Sequence, residues 1–282
     1  MTNRRIAVLG AGHLGAALIA GMLDAAVADA GDIVATVGTA ESAASLTARL
    51  GIRVTVRENR QAAAGADLIV LAVDPAAVPE VAAEIRDALD ERQIIVSLAA
   101  SLPLRAIELM LGKPLAVFRA LPNIPVVVRE GVTALAANSI ATEAQRARVT
   151  GIFRAVGEVV FVEEKLMHAV TALSGCGPAY IYLVIESLAG GGVKLGLPPG
   201  TALRMAAQTV LGAAKHVRES GIDPALLRQQ VITPNGATLP AVRTLERLGL
   251  RDTLIAAMEA AAQHSQNRSA KLMAPAGAEK DA

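Results

Sequence analysis

Residues 5–15 read Arg5-Ile6-Ala7-Val8-Leu9-Gly10-Ala11-Gly12-His13-Leu14-Gly15. A short apolar run ends on a glycine, and a stretch patterned as a helix follows from about His13 to Val27. The glycines at 10, 12 and 15 fit G-x-G-x-x-G. Set between a strand and a helix, that spacing is the phosphate-cradling turn of a Rossmann unit. The first glycine permits the tight turn, the second lets the backbone approach a pyrophosphate, and the third lets helix and strand pack closely. The ligand's charge then sits on the N-terminus of the helix. The plain alternative is a glycine-rich turn that holds nothing.

Outward from this stretch, strand-like and helix-like runs alternate. Residues 33–37 and 52–56 read as strands, with helix at 41–50 between them, and 67–73, apolar from Leu68 onward, reads like a strand covered on both faces of a parallel sheet. Helix is expected at 76–89 and strands at 94–98, 115–121, 132–137 and 157–162. This alternation predicts an α/β fold with a doubly wound, mostly parallel sheet. After Val162 no convincing strand remains. Segments 164–195, 199–220, 236–248 and 251–272 read as helix, broken at Gly196–Gly200, Gly221–Pro224 and Thr233–Gly236. The expected organisation is a dinucleotide-binding domain over 1–162, an all-helical domain over 163–273 and a disordered tail over 274–282.

The 282 residues carry 27 basic and 26 acidic side chains, a net charge of +1. That balance offers no electrostatic case for nucleic acid or an anionic membrane as partner. Aromatics are 2% of the chain against 53% hydrophobic residues, so the core is built from Ala, Val, Leu and Ile. One cysteine, Cys176, allows neither an internal disulfide nor a cysteine-based zinc site. No metal site is expected. Four glycines and Asp24 interrupt the apolar N-terminal stretch, against a signal peptide. The apolar region 169–185 is read as a buried helix slightly short of a bilayer span, and the protein is expected in the cytoplasm. The helical half is more apolar than a free-standing bundle, which predicts an obligate oligomer.

The nicotinamide cofactor is chosen at the end of the second strand. Val37-Gly38-Thr39-Ala40 lacks the carboxylate that usually bonds the ribose 2′-hydroxyl of NAD. Thr39 and Ser42 could receive a 2′-phosphate, so NADPH is favoured, with NADH as the alternative. Thr39 also reads as an ordinary helix cap. His13, at the loop tip, is either a donor to a phosphate oxygen or a solvent-facing loop residue.

Two further stretches are unusual. His168–Tyr180 crowds small residues and Pro178 into a helical pattern, as where something approaches a backbone closely. Thr233-Pro-Asn-Gly-Ala-Thr238 is a turn opening a helix, whose free N–H groups suit a carboxylate. With Leu121–Pro125, Gly131, Gly192–Leu197 and Ala207–Lys215, they give the chain, from Arg5 to about Arg268, a resemblance to the pyrroline-5-carboxylate reductases, which complete proline biosynthesis. The resemblance implies a Rossmann domain followed by a helical dimerisation domain, with dimers often assembled into decamers. It implies hydride transfer from a nicotinamide to the C=N bond of Δ1-pyrroline-5-carboxylate.

Residue by residue, it implies cofactor contacts at Gly10, Gly12 and Gly15; His13 and Leu14, within the same loop, and Thr39, after the second strand, are candidates by their position. Asn59 would face the adenosine ribose, with one extra residue just before it, and Ala72, Val73 and Pro75 would lie beside the nicotinamide. Thr171 and the Ser174–Pro178 segment, Cys176 included, would face substrate and nicotinamide. Gly236 and Ala237 would hold the carboxylate, and the Thr238 hydroxyl would sit by the imine nitrogen. A helix cap is the plainer role for Thr238, and packing for Cys176. The chain departs from the family at His13 (commonly Asn), Asp74 (Lys), Ile124 (Thr), Cys176 (Ser) and the turn at 233–236 (Ser-Pro-Gly-Gly). Those departures keep two alternatives open: a reductase of another cyclic imine, and a non-catalytic dinucleotide-binding regulator.

Overall fold

The computed structural model describes residues 5–273. The tail expected to be disordered, 274–282, lies outside them. In the described residues one compact unit runs to Gly175 and resumes at Ala261, and the other is Cys176–Ala260.

The first unit is built on eight strands: β1 (Ile6–Leu9), β2 (Ile33–Val37), β3 (Arg53–Val56), β4 (Leu68–Leu71), β5 (Ile94–Ser97), β6 (Ala116–Pro122), β7 (Gly131–Ala137) and β8 (Gly157–Phe161). They lie in the order β3-β2-β1-β4-β5-β6-β7-β8. All neighbours are parallel except β6 and β7, which pair antiparallel, Ala120 opposite Leu135. The order reverses direction between β1 and β4. In open α/β sheets ligands bind at such a switch point, beyond the carboxyl ends of the strands.

Alternation along each strand sends side chains to two cores. Ile6, Val8, Val70, Val96 and Phe118 pack on one face with α1 (His13–Asp24), α2 (Ala40–Leu50) and α6 (Glu143–Arg154). Ala7, Leu9, Ile69, Leu71, Ile95 and Val117 pack on the other with α3 (Asn59–Ala64), α4 (Val78–Ile85) and α5 (Leu104–Leu111). Burying one of the larger apolar side chains contributes roughly 1.5–3 kcal/mol, so a sheet lined with them on both faces holds the switch point rigid. The α/β fold with a mostly parallel sheet is the expected one.

Several elements are not legible in the sequence. α3, α5 and α6 occupy stretches whose pattern predicts no element. The helix expected over 76–89 is shorter, Val78–Ile85, with a 3₁₀ turn at each end. The helix expected over 164–195 is broken: α7 (Met167–Val170) passes into a π turn over Thr171–Gly175, and α8 (Gly177–Lys194) restarts after Cys176 with Pro178 in its first turn.

The second unit holds α8, α9 (Pro199–Ser220), α10 (Pro224–Val231), α11 (Thr238–Arg247) and the first part of α12 (Leu250–Met273), whose remainder belongs to the first unit. The break expected at Gly221–Pro224 starts a helix: Asp223 Oδ1 accepts from Ala225 N at 2.7 Å, and Pro224 takes the first helical position, where its missing N–H costs nothing. The reading of 169–185 as a buried helix is corrected. α8 has no buried residue, and Tyr182 and Leu183 are 57% and 63% exposed. The helical run Glu164–Lys194 extends past that region at both ends, and by length and composition it could cross a membrane.

Candidate cofactor and substrate site

The glycine loop lies at the switch point, and each of its glycines has a separate steric reason. Gly10 has φ +82°, and a Cβ there would meet Val73 Cγ1 at 2.3 Å and the Val73 backbone at 3.0 Å. A Cβ on Gly15 would sit 3.2 Å from Val8 Cγ1 and 3.3 Å from Ala72 Cβ, so helix and strand touch there. A Cβ on Gly12 would meet nothing within 4 Å. Gly12 is the N-cap of α1 and is exposed. Its open face is the space a pyrophosphate needs to reach the backbone, and the donors of the first helical turn border it. The loop therefore fits a dinucleotide. Gly10, Gly15, Ala72 and Val73 are brought together, with Ala72 N donating to Leu9 O at 2.8 Å. His13 and Leu14 start α1, and Gly12, His13 and Ser42 line one open groove of about 720 Å³.

Behind the loop runs a buried polar chain that the sequence does not announce. Gly10 N donates to Thr36 Oγ1 at 3.1 Å and also to Thr36 O. Thr36 Oγ1 donates to Asn59 Oδ1 at 2.7 Å, and Asn59 Nδ2 donates to Glu84 Oε2 at 2.7 Å. Thr36 and Asn59 are both buried. Asn59, expected against the adenosine ribose, thus has a structural role inside the domain, since it fixes the hydroxyl that fixes the loop. A residue 23 positions from its partner leaves no local mark of this pairing.

Thr39 caps α2. Its Oγ1 accepts from Ser42 N at 3.2 Å and donates to Ser42 Oγ at 2.9 Å. Asp74 is the N-cap of the 3₁₀ turn Pro75–Ala77, with Oδ1 accepting from Ala76 N at 3.2 Å, so this departure from the family pattern ties down its own turn.

In the π turn, Thr171 Oγ1 donates to Met167 O at 2.9 Å and Ser174 Oγ donates to Val170 O at 3.1 Å. Single π turns inside helices recur at functional sites. Asn123 clamps this one: its Nδ2 donates to Ser174 O at 3.1 Å, while Val132 N donates to its Oδ1 at 2.9 Å. Nothing in the sequence around Asn123 signals this clamp. Below the turn, Arg119 is 2% exposed, with Nη1 3.3 Å from Glu164 Oε1. Burial pushes the guanidinium down, and Glu164 pulls it back up. His168 lies close by, its Nδ1 2.9 Å from Ser265 Oγ. Burial first, then Arg119, lower its pKa, and Glu164 opposes them.

In the second unit, Gly236 N donates to Thr233 O at 3.0 Å, and a Cβ on Gly236 would lie 2.4 Å from Thr233 Oγ1. Asn235 stands at φ +60°, where the family has glycine; asparagine tolerates that conformation best among the larger residues. The substitution therefore preserves the turn. The N-cap of α11 is Ala237, with no side-chain cap, and the half-buried Thr238 makes no side-chain hydrogen bond among the described residues. The plainer capping role of Thr238 has no support here. Cys176 is half-buried, with the Tyr180 hydroxyl as its neighbour, and burial, followed by the thiol, raises the pKa of that hydroxyl. Among the described residues no cluster of His, Cys, Asp and Glu could hold a metal ion.

Comparison with known proteins agrees with this geometry. Residues 164–268 match the family model for pyrroline-5-carboxylate reductase dimerisation, and residues 5–101 match that for NADP oxidoreductases, coenzyme F420-dependent. The pyrroline-5-carboxylate reductase of Pseudomonas aeruginosa is 38% identical, over 94% of this chain and 97% of the relative. That of Escherichia coli K12 is 34% identical, over 95% and 99%. The structure of the Coxiella burnetii enzyme superposes with a TM-score of 0.90 at 35% identity, covering 95% of this chain and 99% of that one. The Plasmodium falciparum enzyme, solved with NADP bound, gives 0.85 at 28%, with the same coverage. A likeness that spans both units, from the glycine loop through the helical half, makes this chain a member of the pyrroline-5-carboxylate reductase family, an NAD(P)H-dependent oxidoreductase.

Proposed function

We propose that the protein reduces the C=N bond of Δ1-pyrroline-5-carboxylate to give L-proline, with NADPH as the preferred reductant. When bound, the cofactor supplies the hydride. The chain supplies binding, orientation, a dry surface and a proton position. Gly12 and the first turn of α1 receive the pyrophosphate, with His13 and Leu14 at its edge. Thr39 serves the adenosine end, Asn59 supports it from behind by holding Thr36, and Ala72, Val73 and Pro75 form the apolar shelf beside the nicotinamide. Gly236 and Ala237 offer backbone N–H groups to the substrate carboxylate. Thr171, Ser174 and Cys176 wall the ring. An imine is already electrophilic, so a hydroxyl at its nitrogen suffices and no carboxylate–histidine pair is needed.

The observation that carries this reading is the Thr238 hydroxyl. Among the described residues it makes no hydrogen bond, and it stands in the first turn of α11, directly after the Gly236–Ala237 turn. Thr238→Ala should lower kcat/KM for pyrroline-5-carboxylate about a hundredfold while the NADPH Kd stays within twofold. An unchanged kcat/KM would refute the role. NADPH oxidation with pyrroline-5-carboxylate, set against six-membered and unsubstituted cyclic imines, tests the substrate. Faster turnover of another imine would replace it.

We further infer that residues 1–162 act as the cofactor domain and 163–273 as the dimerisation and substrate domain, in a cytoplasmic homodimer that assembles further into a decamer. The exposed apolar side chains of α8 and the dimerisation match at 164–268 support the dimer. Sedimentation at monomer mass would overturn it, and a stable dimer would remove the decamer.

A further inference from the structure

Arg57 follows β3 and pairs across the sheet with the end of β2, where the cofactor's adenosine ribose is expected. The last ladder pair is Val37 with Val56. One residue on, Arg57 N donates to Val37 O at 3.0 Å, which sets Arg57 beside Gly38 and the Thr39 turn. Two residues further, Asn59 holds Thr36, and Thr36 holds Gly10. The turn that carries Arg57 is therefore braced against the phosphate loop. No basic residue directly follows β2 in the sequence. The sheet brings one from the neighbouring strand.

Three features set this arginine apart. It stands at φ +55°, a conformation that costs a side-chain-bearing residue and that glycine or asparagine takes more readily. Residues held in such conformations cluster at binding sites. Its side chain is exposed and makes no ion pair or hydrogen bond among the described residues. Finally, the acidic residues nearest in sequence, Glu41 in the first turn of α2 and Glu58 beside Arg57, would repel a dianion unless a cation offset them.

We propose that Arg57 recognises the ribose 2′-phosphate of NADPH, with Thr39 and Ser42 as hydroxyl partners, and so sets the preference over NADH. The inference rests on the dinucleotide reading of the glycine loop. The guanidinium is a fixed cation whose planar fork matches phosphate oxygens. Losing such a charge-assisted contact weakens binding roughly tenfold to hundredfold.

The test uses the full-length protein and two probes that differ only in the 2′-phosphate: adenosine 2′,5′-diphosphate and adenosine 5′-monophosphate, titrated by calorimetry. The wild type should bind the first more tightly. Arg57→Gly removes the cation and also relieves the backbone strain, so the fold is kept. It should weaken the diphosphate roughly tenfold to hundredfold and leave the monophosphate within twofold. Equal binding of both probes by the wild type, an unchanged ratio in the variant, or parallel loss of both probes would each overturn the proposal. Turnover is measured separately: a wild type that reduces pyrroline-5-carboxylate with neither cofactor would sink the functional reading and leave the probe ratio to stand or fall alone.

Discussion

Gly10 and Gly12 stand two residues apart in one loop, yet an added methyl should damage different properties at the two positions. At Gly10 the Cβ would lie 2.3 Å from Val73 Cγ1, which can rotate away, and 3.0 Å from Val73 N and Cα, which cannot. The φ of +82° adds roughly 1–2 kcal/mol for an L residue. Overpacking against backbone adds about 1–3 kcal/mol. Gly10→Ala should therefore cost about 2–5 kcal/mol of stability, from the sum of those two effects. At Gly12 no atom lies within 4 Å, and the helix loses only a good N-cap residue, roughly 0.5–1 kcal/mol. There the methyl fills the space through which a pyrophosphate reaches the N–H groups of α1, and NADPH affinity should fall roughly tenfold to hundredfold. Urea unfolding at fixed protein concentration, with and without NADPH, reads both effects, and calorimetry gives the Kd. Gly12→Ala with wild-type NADPH affinity, or destabilised as much as Gly10→Ala, would refute the division of labour.

Two further outcomes follow from the ion pair below the π turn. Glu164→Ala strands the 2%-exposed guanidinium of Arg119 and removes the acceptor of Leu104 N. Since Glu164 itself is one-third exposed, the cost should sit near the low end for a broken buried pair, about 3 kcal/mol by urea unfolding; a change under about 0.5 kcal/mol, the range of ordinary surface substitutions, would remove the pair from the account of stability. His168 has a folded pKa below its usual 6.5, so the unfolded chain binds the proton more readily. Its contribution is present above pH 6.5 and is lost as the pH falls below 6.5 towards the lowered value. The urea midpoint of the wild type should drop more between pH 7.5 and 5 than that of His168→Asn, and parallel profiles would show that His168 is not the group responsible.

The sheet is legible in the sequence because its signals are local. Ile6–Leu9 before Gly10 and the unbroken apolar run Leu68–Leu71 state their own burial on two faces. α6 escapes notice because only Val149, Ile152 and Phe153 of its twelve residues are buried, and its clearest mark is the Thr142–Gln145 capping box. α10 escapes because Asp223-Pro224 reads as a stop, although the same pair caps and opens a helix. The antiparallel entry of β7 has no sequence mark, since strand direction is decided by partners. The candidate site divides in the same way. The glycine spacing is visible in eleven consecutive residues, Arg5 to Gly15. The Thr36–Asn59–Glu84 chain, the Asn123 clamp and the place of Arg57 beside Gly38 are products of folding between residues far apart.

One contact made late in the chain has a consequence for how the molecule is born. Ser269 of α12 donates its hydroxyl to Ser101 O at 2.8 Å, across 168 positions, and the side chain is buried. A ribosome delivers Ser101 long before Ser269, so the carbonyl in the loop after β5 stays with water until α12 has been made. The first unit begins the chain but is completed only by the end of α12, after the second unit has been made, and a chain stopped before α12 would leave both units incomplete.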